Sequence, residues 1–263
     1  MFGKYTFPFG EPVREVIQLD RTPKRVFVLG VYASAVHAQW IDTNNKTKVK
    51  ALAVASEPYI FWRGDGAEEI IGQINVPNSL GTLIPADKQF NGPSGIALDE
   101  LIIEPLGLSR SDVWLCDLLP HSCVNPNQRK AIINNYEPFI EEYDLPIPTV
   151  PEVPPQLTGP KRRAAILDEI IESGANTLLL LGDKPIQWFL KSYDQRWNRL
   201  TDFTQNEESY GRLHPLRIKG KAIQILPLAH PRQIAKLGSS SVNWYEYHQT
   251  WLDQSASKMH SSL

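Results

Sequence analysis

Residues 222–232 read AIQILPLAHPR. A run of apolar and β-branched residues breaks off at His230, and Pro231 forbids its continuation as a central strand. Near-uniform hydrophobicity over such a short run marks a strand buried on both faces, the habit of parallel sheets. Three other runs share this character: RVFVLGV at 25–31, DVWLCDL at 112–118 and NTLLLL at 176–181. Around them, apolar spacing predicts helices over 34–40, 95–106, 128–143, 162–173, 185–192 and 242–252. Strand and helix in alternation predict an α/β fold: a single three-layer αβα domain with a central four-stranded parallel sheet. A fifth apolar run, VKALAVA at 49–55, is expected beside or just outside that sheet.

A chain of 263 residues buries a substantial core without covalent staples. Its 42% apolar and 21% charged residues are those of a globular protein rather than a disordered one. The start, MFGKYTFPFGEP, has no basic segment followed by an apolar one, and no window approaches the roughly 18 uncharged apolar residues of a membrane span. A cytoplasmic or nucleoid-associated monomer with no membrane partner is therefore expected. Cys116 and Cys123 are the only cysteines, too few for a disulfide framework or a four-cysteine metal site. His121 and Cys123 lack further ligands, so no metal is expected. The stretch LPIPTVPEVPPQLTGP at 145–160 holds six prolines and is read as a long rigid surface loop, with a domain linker or a polyproline docking site as alternatives. Residues 198–211 read as a second connection. The expected organisation is an N-terminal extension over 1–24, one domain over 25–254 and a tail over 255–263.

Net charge is −2, yet its distribution is uneven. Residues 209–245 contain no Asp or Glu, while Arg212, Arg217, Lys219, Lys221, Arg232 and Lys236 all fall there. Either one face carries a positive potential despite the acidic total, or the charges cluster by chance on a solvated surface.

In open parallel sheets, ligands bind at the carboxyl ends of the strands, near the switch in strand order. That rule selects GVYASA at 30–35, DLLPH at 117–121, GDKP at 182–185 and HPR at 230–232. The first strand lacks G-x-G-x-x-G, no G-x-x-x-x-G-K-[ST] occurs, and GPSG at 92–95 has the wrong spacing for a hydrolase serine elbow. Dinucleotide, P-loop and serine-hydrolase chemistries are thereby disfavoured.

Taken in order, VFVLGVYASA, ALAVASEP, GPSGIALDEL, VWLCDLLPHSCVNPNQ, LLLLGDKPIQWF and LPLAHPRQIAKLG resemble the successive motifs of the uracil-DNA glycosylase superfamily. The resemblance runs from about residue 25 to 252. It implies that the protein hydrolyses the N-glycosidic bond of a flipped-out base in DNA, without a metal or organic cofactor. His230 would donate a hydrogen bond to the departing base, or is simply a satisfied strand-end histidine. Asp117 stands where the family has a base-gripping asparagine; ionised, it suits an edge rich in N–H donors, and its other role is to cap the next segment. Gly30, Val31, Val54, Glu57 and Trp62 would line the base site, with Tyr59, Phe61 or Trp62 as a stacking platform or as core. Ser94, Arg232, Lys236, Ser239 and Ser240, with Ser241, would contact phosphates, the serines being equally ordinary helix caps. Ile234 would wedge into the base stack, or lies buried under the final helix.

Tyr32 and Ala33 stand where the family has Asp or Asn followed by Pro. A phenol with pKa near 10 is a poor base, so the chemistry rests on electrostatics, or Glu57, Asp99 or Asp117 takes over, or nothing is cleaved. His37, one helical turn on, lines the pocket or only its helix. A base-binding module on the same fold and a hydrolase of free nucleosides are the competing readings.

Overall fold

The computed structural model describes residues 4–237 and 243–263. In chain order the strands are β1 (Val26–Tyr32), β2 (Ala35–Ile41), β3 (Thr47–Ser56), β4 (Thr82–Pro85), β5 (Val113–Leu119), β6 (Thr177–Leu181), β7 (His214–Ile218) and β8 (Lys221–Leu228). The helices are α1 (Ala67–Gly72), α2 (Pro93–Leu98), α3 (Pro126–Asn135), α4 (Ile140–Tyr143), α5 (Pro160–Glu172), α6 (Asp183–Trp188), α7 (Pro231–Ile234) and α8 (Trp244–Gln254). A π-helix, Asp99–Ile103, continues α2.

The chain divides into two compact units, each assembled from several segments. The first comprises Met1–Val16, Tyr32–Pro93 and Pro120–Pro155; the second comprises Ile17–Val31, Ser94–Leu119 and Gln156–Leu263. Residues ahead of Arg25 thus belong to both units, and the change at 155/156 falls within the proline-rich stretch.

The second unit holds an α/β fold with a mixed five-stranded sheet in the order β5-β1-β6-β8-β7. The four apolar runs form β5, β1, β6 and β8, of which β5 lies at one edge and the other three are inner, and β6 is buried at every position. β6 runs parallel to both neighbours, with Leu29, Leu180 and Pro227 in one row. The N–H of Arg25 bonds the Asp112 carbonyl at the start of β1, and that of Val31 bonds the Asp117 carboxylate at its end. β5 therefore runs in the same direction as β1. The sheet has five strands rather than the expected four because β7 folds back antiparallel on β8. Lys219 and Gly220 make this hairpin turn with φ of +48° and +86°, the pair of positive φ values that a tight two-residue turn demands. Pro215 is tolerated in β7 because the strand lies at the sheet edge.

The first unit holds a separate three-stranded sheet, β3-β2-β4, antiparallel throughout. Residues 34–40, expected as helix, are largely strand. In β2 Val36, Ala38 and Trp40 are buried while His37, Gln39 and Ile41 are half-buried. That alternation has a period of two, and it outweighs a helical reading carried by one short segment. The expected run at 49–55 is β3 of this sheet. Phe9 meets Trp40 and Tyr136 edge-on, at centroid distances of 5.3 and 5.0 Å. The Tyr136 hydroxyl accepts from the Phe9 N–H and donates to the Pro146 carbonyl, both at 2.9 Å. The N-terminal residues are thereby part of this core. No helix among the described residues is long and apolar enough to cross a membrane.

Candidate functional site

Strand order reverses around β1: the chain leaves it for β5 on one side and crosses to β6 and β8 on the other. In such sheets the crevice for a ligand opens at the carboxyl ends of the strands flanking the reversal, here β1 and β6. The row through Leu29, Leu180 and Pro227 puts Val31, Gly182 and Ala229 near one level at that edge. Asp117 lies one strand beyond Val31, and His230 directly follows Ala229. Three strand spacings separate β5 from β8, roughly 14 Å.

Asp117 is only 3% exposed. Burial raises its pKa to about 7, opposed by the nearby positive charge of Arg162 and by the Val31 N–H. Arg162, on α5, reaches the end of β5 through its guanidinium, donating to the carbonyls of Asp117 (2.6 Å) and Leu118 (3.2 Å). It also pairs with Glu169 at 3.2 Å. Sequence reasoning placed this arginine on a helix and missed its part in setting the charge of Asp117. A carboxyl that titrates near neutrality exists in two forms. Protonated, it offers one O–H and an acceptor oxygen, as an amide does; ionised, it only accepts.

His230 is half-buried at the N-terminus of α7. Its Nδ1 accepts the Arg232 N–H at 3.2 Å, and its own N–H donates to the Gln233 side chain at 3.1 Å. Burial, with Arg232 nearby, lowers its pKa to about 4. The ring is thus neutral at pH 7, and with Nδ1 accepting, the proton resides on Nε2. Gly182, at φ +80°, turns the chain out of β6 beside it. A Cβ at Gly182 would lie 3.4 Å from the His230 Cβ, so this glycine provides both the turn and the close approach.

The other expected site residues divide between the units. Gly30 and Val31 lie near the end of β1, where the Val31 N–H meets Asp117, and Ser94 is half-buried on α2. Ile234 is fully buried on α7, so in this structure it does not protrude as a wedge. Arg232 and Lys236 are exposed; the Arg232 guanidinium donates to the Leu237 carbonyl, and the Lys236 ammonium sits 3.6 Å from the Tyr245 ring centroid. Asp99 is buried and ion-paired with Arg110 at 2.6 Å. Ser239, Ser240 and Ser241 lie outside the described residues. Tyr32, Val54, Glu57 and Trp62 belong to the first unit. Val54 and Trp62 are core there, the indole donating to the Asp65 carbonyl at 2.7 Å, and Glu57 is also buried. His37 lies on β2 rather than on a helix. Among the described residues, no group of three or more His, Cys, Asp and Glu side chains is placed to hold a metal.

The basic stretch at 209–245 is divided between the two ends of β8. Arg232 and Lys236 follow its carboxyl end, whereas Arg217, Lys219 and Lys221 belong to the hairpin at its amino end. A groove of about 470 Å³ lies over that hairpin, lined in part by Asn176, Arg217 and Gln224. It is at the opposite end of the strand from His230.

At the switch point, therefore, the chain offers a neutral imidazole donor and a carboxyl poised between its two protonation states, with backbone and a glycine between them. Neither the protein-family models nor the curated proteins compared with the chain match it.

Proposed function

We propose that the protein is a divergent member of the uracil-DNA glycosylase superfamily, a three-layer αβα enzyme that hydrolyses the N-glycosidic bond of a base flipped out of DNA. One observation carries the reading. Two ionisable groups at the switch-point edge are displaced in opposite directions, Asp117 up to about 7 and His230 down to about 4. Such pairs are how acid and base roles are divided at one pH.

As the C1′–N bond breaks, its electron pair passes to the base, and water ultimately supplies hydroxide to C1′ and a proton to the base. His230 Nε2–H is a prepositioned donor for the oxygen on which the negative charge gathers. It needs no proton from solvent, because the ring is neutral in the working range. Asp117 grips the opposite edge of the ring. In its ionised form it matches exocyclic amino groups, as in cytosine or adenine; in its protonated form it matches an imide. This chemistry draws on the chain's own donors, and DNA is the partner, bound through Arg232 and Lys236.

A second reading, a base-binding module without turnover, is favoured by Tyr32, which stands in place of the water-positioning Asp or Asn. The two separate on turnover. DNA carrying varied base modifications is incubated with excess protein, and free bases are identified by mass spectrometry alongside alkali-labile abasic sites. The enzyme releases at least one base, and His230→Ala suppresses that release. Binding with no abasic sites establishes the module instead.

A further inference from the structure

We propose that Tyr210 and His248, neither of them at the switch-point edge, are positioning residues that lock the strand end on which His230 is mounted; the proposal deepens the glycosylase reading and rests on it for its functional meaning.

The argument begins at a proline. Leu101 lies in the π-helix; the α-helical pattern would pair its carbonyl with residue 105, which is Pro105 and has no N–H, and the π pattern would pair it with Leu106. The N–H of Leu106 is engaged with the Ile102 carbonyl instead. The stranded carbonyl of Leu101 is met by His248 Nε2 on α8, at 2.8 Å. A carbonyl only accepts, so Nε2 carries the proton. Burial lowers the pKa of His248 to about 4, which leaves the ring neutral and its Nδ1 an acceptor.

The Tyr210 hydroxyl lies 2.9 Å from that Nδ1 and must donate to it. Its oxygen is then left to accept, and it receives the N–H of Ala229 at 3.0 Å. Ala229 is the first residue past β8, and its N–H is held by a side chain rather than by the sheet. His230 comes next, with its N–H on Gln233 and its Nδ1 on the Arg232 N–H. Each donor in this chain has one acceptor, and the direction of every bond follows from the carbonyl at its far end. Both relay rings are buried. Gly211 lets α8 approach closely: a Cβ there would come within 2.4 Å of the Trp251 ring, whose indole donates to the Gly211 carbonyl at 3.1 Å. The relay is thereby clamped at the turn of chain that carries Tyr210.

The test reads His230 directly, by NMR of histidine ¹⁵N-labelled protein with its signal assigned through His230→Gln. In the native protein His230 is the Nε2–H tautomer and stays neutral until strongly acid pH. Tyr210→Phe removes the acceptor for Ala229, and the titration midpoint of His230 is expected to rise by roughly one unit or more towards its free value. In base release, kcat falls about 10-fold with KM unchanged, the sign of a group acting on the reacting geometry alone. His248→Asn offers Oδ1 where Nδ1 stood and preserves the native His230 signal, whereas His248→Leu reproduces the Tyr210→Phe shift. This His248 pair decides the question even if Tyr210→Phe does not fold. His230 signals unchanged in both Tyr210→Phe and His248→Leu, with only the melting temperature lowered, would overturn the relay. A native protein that releases no base sinks the glycosylase reading, and the NMR comparison still judges the relay independently.

Discussion

The two ends of β8 use polar residues in different ways. At its amino end, Arg217 and Lys219 stand in solvent around a two-residue turn. At its carboxyl end the exposed Arg232 and Lys236 are joined by polar groups withdrawn from water: half-buried His230 with its ring held at Nδ1, and, further along the same edge, buried Asp117. Charge kept in water acts at a distance and is screened by salt. Charge taken out of water acts through protonation state, and its cost appears in the stability of the fold. Of the two ends, the carboxyl one therefore combines exposed charge with groups whose protonation state is set by their surroundings.

The largest expected effect comes from Asp117. Its folded pKa of about 7 lies above the unfolded value of 3.8, so the unfolded chain releases this proton first as pH rises. The stability contributed by the protonated carboxyl is complete below about pH 4 and is lost as pH climbs through 7, by up to ~4 kcal/mol. Urea melts across this range should show that decline in the native protein and a flatter profile in Asp117→Asn. A variant with the native slope would place the titrating group elsewhere. For His230 the sign is opposite, since a lowered pKa means stability is lost as pH falls from about 6.5 towards 4.

Next in size, His230→Ala should slow base release by roughly 100-fold or more, the usual consequence of losing one prepositioned donor. DNA affinity, measured by fluorescence anisotropy, should remain within about 2-fold, a margin far smaller than the roughly 1.4 kcal/mol of a tenfold change. Charge reversal sharpens the contrast between the ends. Arg232→Glu with Lys236→Glu is expected to weaken DNA binding about 10-fold and to flatten its salt dependence by roughly one unit of slope for each phosphate no longer neutralised. Arg217→Glu with Lys219→Glu should do neither. Equal effects at both ends would mean that the hairpin is also a DNA-binding surface. The smallest effect is expected at Gly220, whose φ of +86° strains any side chain. Gly220→Ala should cost about 1 kcal/mol in urea melts and leave the pH profile of stability unchanged.

What could be read from the chain follows from how local the information is. An apolar strand that stops on a polar residue is a local signal, and it marks His230. Asp117 lies within β5, two residues short of its end, and is singled out by the strand-end rule and the resemblance. The edge strand β7 was hidden because Pro215 and Arg217 interrupt its five residues, features that only an edge permits. The segment over 34–40 satisfies both a short helical spacing and a strict alternation, and partners in β3 and β4 decided between them. Ile234 admitted two positions, and burial selected the one without exposure. The relay from Leu101 through His248 and Tyr210 to Ala229 joins residues up to 147 positions apart. No pattern in the sequence announces it.

The interleaving of the two units along the chain has a consequence for how this protein is made. Thr6 receives its hydrogen bond from the backbone of Thr149, and Val26 has to await Thr177 as its partner across the sheet. Neither half is finished when the ribosome has passed the midpoint, so the nascent chain must hold hydrophobic strands in waiting for well over a hundred residues. No single scissor cut liberates an intact half either. Truncation, the usual tool for dissecting a molecule of this size, is the one least suited to it.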